Sequence, residues 1–200
     1  MKPRVAVLIS GRGSNMEALI KAAQAPSYPA EIVLVLSNKP EAAGLEIARQ
    51  LGVRAEAIPA KPFGKNREAH ERAIDAALVA ENIDIVCLAG YMRLLTPYLV
   101  NRWPGRMLNI HPSLLPEFPG LDTHARAIAA GAEKHGCTVH LVTEGMDEGP
   151  VLMQAEVQVL LGDTEDTLAA RVLAQEHRIY PAALAAFAEK IRLQGPSTNS

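Results

Sequence analysis

Residues 5–9 form an unbroken apolar run, the pattern of a strand buried on both faces of a parallel sheet. Gly11-Arg12-Gly13-Ser14-Asn15 separates it from an amphipathic helix predicted over about 16–25. The rhythm then repeats: strand 32–36, helix 43–51 stopped by Gly52, strand 54–58, a long helix over 66–81, and strand 83–88. Strands alternating with helices imply right-handed βαβ units. After residue 100 the spacing changes. A strand at 106–110 and a helix at 123–130 precede strands at 138–142 and 151–159, which are separated only by a turn-rich segment too short for a helical crossover. The last two strands are therefore predicted to be antiparallel. A closing helix over about 164–188, with Tyr180-Pro181 as a potential interruption, completes the pattern. The expected fold is α/β: an open, mainly parallel twisted sheet of about seven strands with helices on both faces. Neither repeats nor a clear linker break the chain, so residues 1–190 read as one domain, with 191–200 as a flexible tail.

Composition narrows the class. In 200 residues, 48% are hydrophobic and 21% charged, which is globular rather than disordered or membrane-like. A net charge of −2 provides no excess of cations for neutralising many phosphates, so no nucleic-acid partner is expected, although a local pocket for one phosphate stays open. Cys87 and Cys137 both lie in apolar runs and read as reduced core residues. The first apolar stretch is too short for a signal segment, and no run reaches transmembrane length. A soluble, cytoplasmic protein without a membrane partner is expected.

Three constellations can carry chemistry. Asn109 and His111 alternate on one face at a strand end, with Ile110 turned to the core and prolines 112 and 116 fixing the path beyond. An amide beside a titratable ring suits stabilisation of an oxyanion; equally, the imidazole can be one satisfied by a backbone carbonyl. Gly11, Arg12, Gly13, Ser14 and Asn15, between a strand and a helix, can cradle a phosphate on outward backbone N–H groups or form a plain capped turn. The third glycine of a dinucleotide fingerprint is missing, and no Gly-Lys-Ser/Thr follows. Around Gly90, the apolar Met92, Leu94 and Leu95 can wall a flat aromatic ligand or pack a helix start. Asp147, in a glycine-rich turn, is either a turn former or, if it approaches His111, the group that keeps the imidazole charged. His70 and His135, beside charged residues, read as solvated, His124 as a helix start, and His140 and His177 as members of a strand and a helix. No zinc spacing or GxSxG elbow occurs, so neither a metal nor a serine nucleophile is expected.

Together these motifs resemble the glycinamide ribonucleotide formyltransferases, folate-dependent enzymes of purine biosynthesis, from Val5 to about Pro181. Asn109-Ile-His-Pro-Ser-Leu-Leu-Pro116 and Gly136-Cys-Thr-Val-His-Leu-Val-Thr-Glu-Gly-Met-Asp-Glu-Gly149 resemble the core shared by several 10-formyltetrahydrofolate enzymes. Ser10–Asn15 and Gln175–Pro181 resemble the phosphate loop and closing helix of the glycinamide branch. The resemblance implies a formyltransferase fold, with about 1–100 as a Rossmann-like phosphate-binding half and 101–190 as a catalytic and folate half. It makes Asn109, His111 and Asp147 catalytic, and Gly11, Arg12, Gly13, Ser14, Asn15 and Glu176 ribonucleotide contacts. It places Arg67, Met92, Arg93, Leu94, Leu95, Asn109, Val142 and Asp147 at the folate. Asp122 stands where related enzymes carry a histidine, which leaves a role for that position open. The implied reaction is direct formyl transfer from 10-formyltetrahydrofolate to the ribonucleotide amine, with small-molecule partners and a homodimer left open. Rival readings are a deformylase, a sugar-nucleotide formyltransferase, or a non-catalytic phosphometabolite-binding domain.

Overall fold

The protein was analysed as a computed structural model that describes residues 1–194. The chain order is β1 (Arg4–Ile9), α1 (Ser14–Ala23), β2 (Glu31–Ser37), α2 (Ala43–Gln50), β3 (Arg54–Ala57), a single 3-10 turn (Lys61–Phe63), α3 (Arg67–Ala80), β4 (Ile85–Leu88), α4 (Pro97–Arg102), β5 (Met107–His111), α5 (Thr123–Ala129), β6 (Lys134–Leu141), β7 (Val151–Gln158) and α6 (Glu165–Gln194). The seven strands form one sheet in the order β3-β2-β1-β4-β5-β6-β7. The first five are parallel to one another, and β6 and β7 join antiparallel. The predicted mixed sheet is therefore the observed one.

Side-chain alternation divides the core into two layers. Val5, Val7 and Ile9 of β1 face a layer completed by α1, α2, α5 and α6, whereas Ala6 and Leu8 face α3 and α4. Burial on both sides explains why β1 is continuously apolar. The chain runs outward from β1 through β2 to β3, then returns to the other side of β1 for β4. The resulting switch point between β1 and β4 opens a crevice at the carboxyl ends of the strands.

Several expectations are corrected. β6 begins at Lys134, four residues before the predicted strand, because its pairing with β7 starts at Lys134↔Gln158. The Lys-His-Gly start hid it: Gly136 lies so close to Ala155 that an added Cβ would stand 1.9 Å from that carbonyl oxygen. α6 passes through Pro181 without ending, held to the sheet by buried Tyr180, Ala183, Leu184 and Phe187. It also continues to Gln194, so residues 191–194 are helix rather than tail. Residues 195–200 of the expected tail lie outside the described residues. α4, read from sequence only as an alternative helix start, is formed.

His70 and His135 are buried, not solvated. His70 donates to Ile58 O at 2.7 Å, and the His135 and His124 rings meet through Nε2 and Nδ1 at 3.1 Å. Burial, reinforced by His124 and His111, pushes the His135 pKa down from 6.5 to about 4. Burial lowers His70 and His124 as well. An unfolded chain would therefore take up protons near pH 6.5 that the folded chain refuses until about pH 4. The stability these neutral rings carry is complete above pH 6.5 and lost as pH falls toward 4. Thermal unfolding followed by circular dichroism should show the midpoint dropping across that window, and less steeply in His135→Phe than in the parent chain.

Candidate active site

The crevice at the switch point leads into a cleft of about 710 Å³. Six segments enclose it: the start of α1, residues 90–94 after β4, the end of β5, residues 120–124 at the start of α5, the loop between β6 and β7, and the face of α6 that carries Ala169, Ala170, Leu173 and Glu176. Their positions are fixed by hydrogen bonds between loops. Ser10 Oγ donates to Asn38 Oδ1 at 2.6 Å and accepts from Met92 N–H at 2.8 Å, which joins the turns after β1, β2 and β4. Behind them, the Tyr180 hydroxyl lies 2.9 Å from Leu88 O and 3.3 Å from Leu108 O, locking α6 to β4 and β5 just before Asn109.

Asn109 and His111 share one face of β5, as alternation requires, while Leu108 and Ile110 enter the core. A carbonyl can only accept, so the 3.0 Å contact with Phe118 O makes His111 Nε2 the protonated nitrogen. Nδ1 then faces Asp147 Oδ2 at 3.5 Å, an ion-pair separation when the ring is charged. Both readings of this histidine therefore meet in one ring: a backbone carbonyl satisfies one nitrogen, and the other is turned to a carboxylate. Asp147 is itself positioned. Its Oδ2 accepts the Gly120 N–H at 2.9 Å, and its backbone sits at φ 55°, a left-handed conformation that Asp and Asn tolerate better than other side chains.

His140 was legible in sequence only as a strand histidine; the structure places it in the site. The β5–β6 register sets it directly opposite Asn109. His140 Nδ1 donates to Leu141 O at 3.0 Å, which leaves Nε2 to accept from Asn109 Nδ2 at 3.2 Å. That contact decides the amide's orientation: the nitrogen end is at His140, and its second N–H is available to the cleft that Asn109 lines. Burial lowers the His140 pKa, which keeps Nε2 an acceptor. No local signal marks this role, because it depends on pairing across 31 residues.

The other candidates divide. Asn15, Met92, Arg93, Leu94 and Glu176 line the cleft with the catalytic candidates, and so does Asp122. Glu176 hydrogen-bonds the Asn15 side chain, and burial raises its carboxyl to about 7. Asn15 Oδ1 and the Tyr91 hydroxyl are buried without partners, as expected of groups that await a polar ligand. Gly13 adopts φ 70° and caps α1, with Gly11 and Arg12 exposed beside it. Leu95 and Val142 are absent from the cleft wall and pack against the α3–α4 side of the core. Arg67, at the start of α3, is exposed and donates to Leu94 O at 3.3 Å, bracing the wall from outside. Among the described residues, no group of three or more His, Cys, Asp or Glu is placed to hold a metal ion.

Residues 3–184 match the family model described as formyl transferase. The chain belongs to the formyl transferase family. Phosphoribosylglycinamide formyltransferase of Escherichia coli (strain K12) is 47% identical, over 92% of this chain and 87% of that one. The crystal structure of phosphoribosylglycinamide formyltransferase from Brucella melitensis is 60% identical and superposes with a TM-score of 0.90, covering 94% and 96% of the two chains. The Bos taurus trifunctional purine biosynthetic protein adenosine-3 is 50% identical over 92% of this chain, which spans only 18% of that longer protein. In this formyl transferase no helix among the described residues is long and apolar enough to cross a membrane.

The loop carrying Asp147 leaves no room for adjustment at Gly149, where a Cβ would stand 1.7 Å from Leu141 O. Gly149→Ala should push the loop off β6 and draw Asp147 from His111. Displacements of about 1 Å can cost on the order of 10²-fold in rate. A comparable fall in kcat, with far-ultraviolet circular dichroism unchanged, is the expected outcome.

Proposed function

We propose that this chain transfers the formyl group of 10-formyltetrahydrofolate to the amine of 5'-phosphoribosylglycinamide, a step of purine biosynthesis. Family membership supports the reaction class. The observation that carries the reading is the convergence of the Asn109 amide, the His111 imidazole and the Asp147 carboxylate on one cleft. A non-catalytic binding domain has no need for these three together. The two substrates fit the cleft's two kinds of wall. Met92, Leu94 and the neighbouring main chain offer a largely apolar slot for a pterin; Asn15 and Glu176 line the place for the ribonucleotide, and the turn of Gly11, Arg12, Gly13 and Ser14 that leads into α1 is the cradle for its phosphate.

Attack by the neutral amine on the formyl carbon puts developing charge on the formyl oxygen. In this reading Asn109 donates its cleft-facing N–H to that oxygen. His111 donates from Nδ1 once protonated, and Asp147 stabilises the imidazolium. The amine proton then passes, with Asp147 as the near acceptor, toward the departing folate nitrogen. Leu95, Val142 and Arg67 act at one remove, holding the wall rather than forming it. The described domain works as a unit: the turn after β1 and Glu176 of α6 hold the ribonucleotide, and residues 90–94 with the later half of the sheet hold the folate.

Mixing the protein with both substrates and following the absorbance of the deformylated folate tests this directly. Transfer should require the ribonucleotide; formate release without it would indicate a hydrolase, and transfer to a sugar-nucleotide amine would indicate the sibling branch. His111→Ala should lower kcat by roughly two to four decades, the usual reach of acid–base and oxyanion contributions. Near-normal turnover in that variant would remove His111 from the chemistry. Asp147→Asn, which the left-handed backbone accommodates, should lower kcat and shift its pH profile.

A further inference from the structure

A row of polar side chains crosses the three closing strands, and the proposed chemistry uses only its first member. The register pairs His111 of β5 with Thr138 of β6, and Thr138 with Gln154 of β7. Directly paired residues share a face, so the three side chains stand side by side on the sheet. Thr138 is fully buried, and its hydroxyl spends every capacity it has. It donates to Ser113 O at 2.7 Å and accepts from Leu115 N–H at 3.1 Å and from Gln154 Nε2 at 2.9 Å. Gln154 Nε2 also donates to Leu115 O at 2.9 Å, so both of its N–H groups serve this node. Gln154 lies exposed on the edge strand, where an amide is ordinarily left to solvent. Here it reaches across 39 positions of sequence to the loop after β5.

That loop completes the surroundings of both His111 and Asp147. Beyond Leu115 it presents Phe118 O to the His111 Nε2–H, and then Gly120 N–H to Asp147 Oδ2. Phe118 sits at φ 48°, a left-handed conformation that a bulky side chain keeps only where its neighbours fix the chain. Arg126 holds the far side of Phe118 through Pro119 O and Leu121 O, at 2.6 and 3.0 Å. The Thr138–Gln154 node holds the near side. We infer that Gln154, which is no part of the cleft wall, is a positioning residue for the transfer. Through Thr138 and Leu115 it fixes the loop whose carbonyl keeps the His111 ring turned with Nδ1 toward Asp147. The inference rests on the proposed formyl-transfer reading and deepens it.

The test uses Gln154→Met, which keeps the length of the side chain, removes both donors and, at an exposed position, opens no cavity. In this variant kcat for formyl transfer should fall about 10- to 100-fold, with KM for either substrate changed less than about twofold. In a His111→Ala background the same substitution should cost nothing further, because its effect passes through that ring. Nitrogen NMR of labelled protein, at a pH where the ring is neutral, should show His111 of the parent as the Nε2–H form. The variant should show a mixture of the two tautomers, while His140, held by other partners, keeps its signals. Unchanged His111 signals, or an undiminished loss in the His111→Ala background, overturns the inference. So does a lower melting midpoint with kcat unaltered, which would make Gln154 structural only. Absence of turnover in the parent overturns the formyl-transfer reading, and this role with it; a parent that turns over beside an equally active variant overturns the role alone.

Discussion

The register of β5 is the constraint on which the site depends. β5 pairs parallel to β4 on one side and antiparallel to β6 on the other, so it is the strand where the two halves of the sheet meet. A slip of one residue would turn Asn109 and His111 to the opposite face of the sheet, away from His140 and Asp147. The register is held from three directions: the Val86↔Met107 ladder, the Ile110↔Val139 ladder, and the Tyr180 hydroxyl at Leu88 O and Leu108 O. Because β6 runs antiparallel, its end lies beside Met107 and Leu108 at the start of β5, and the loop to β7 folds back along β5 toward the rim where the parallel strands end. That is how Asp147 reaches a histidine 36 positions earlier.

Two histidines flank one carboxylate, yet their surroundings give them different capacities. His140 spends Nδ1 on Leu141 O and Nε2 on the Asn109 amide, and burial lowers its pKa. It serves as a neutral orienting acceptor. His111 spends only Nε2 on a carbonyl, which leaves Nδ1 turned toward the Asp147 carboxylate. The distinction is one of hydrogen-bond inventory, not of residue type. A similar economy governs Glu176, where burial raises the carboxyl to about 7 and Asn15 is the side chain that tempers the rise.

Rigidity at the rim comes from loops bonded to loops rather than from the elements themselves. Ser10 links Met92 to Asn38, and Asn38 links onward to Ala60. The same line holds residues 90–94 in the wall of the cleft.

The parallel strands, the antiparallel close and most of the helices were legible in the sequence, since apolar runs and 3.6-residue periods report burial directly. So was the sharing of a face by Asn109 and His111, which strand alternation imposes. The family motifs then marked Asp147 as their partner. What sequence could not supply was anything set by pairing at a distance. The start of β6 was hidden because Lys134, His135 and Gly136 carry no apolar alternation, although pairing with β7 extends the strand through all three and His135 is buried. His70 and His135 looked solvated beside charged neighbours, although tertiary packing buries both. The role of His140 and the packing of Leu95 and Val142 against the core, away from the cleft wall, both arise from contacts between separate loops and strands. Local pattern determined which residues could face the cleft; only the register of β5 and β6 and the bonds between loops decided which of them meet there.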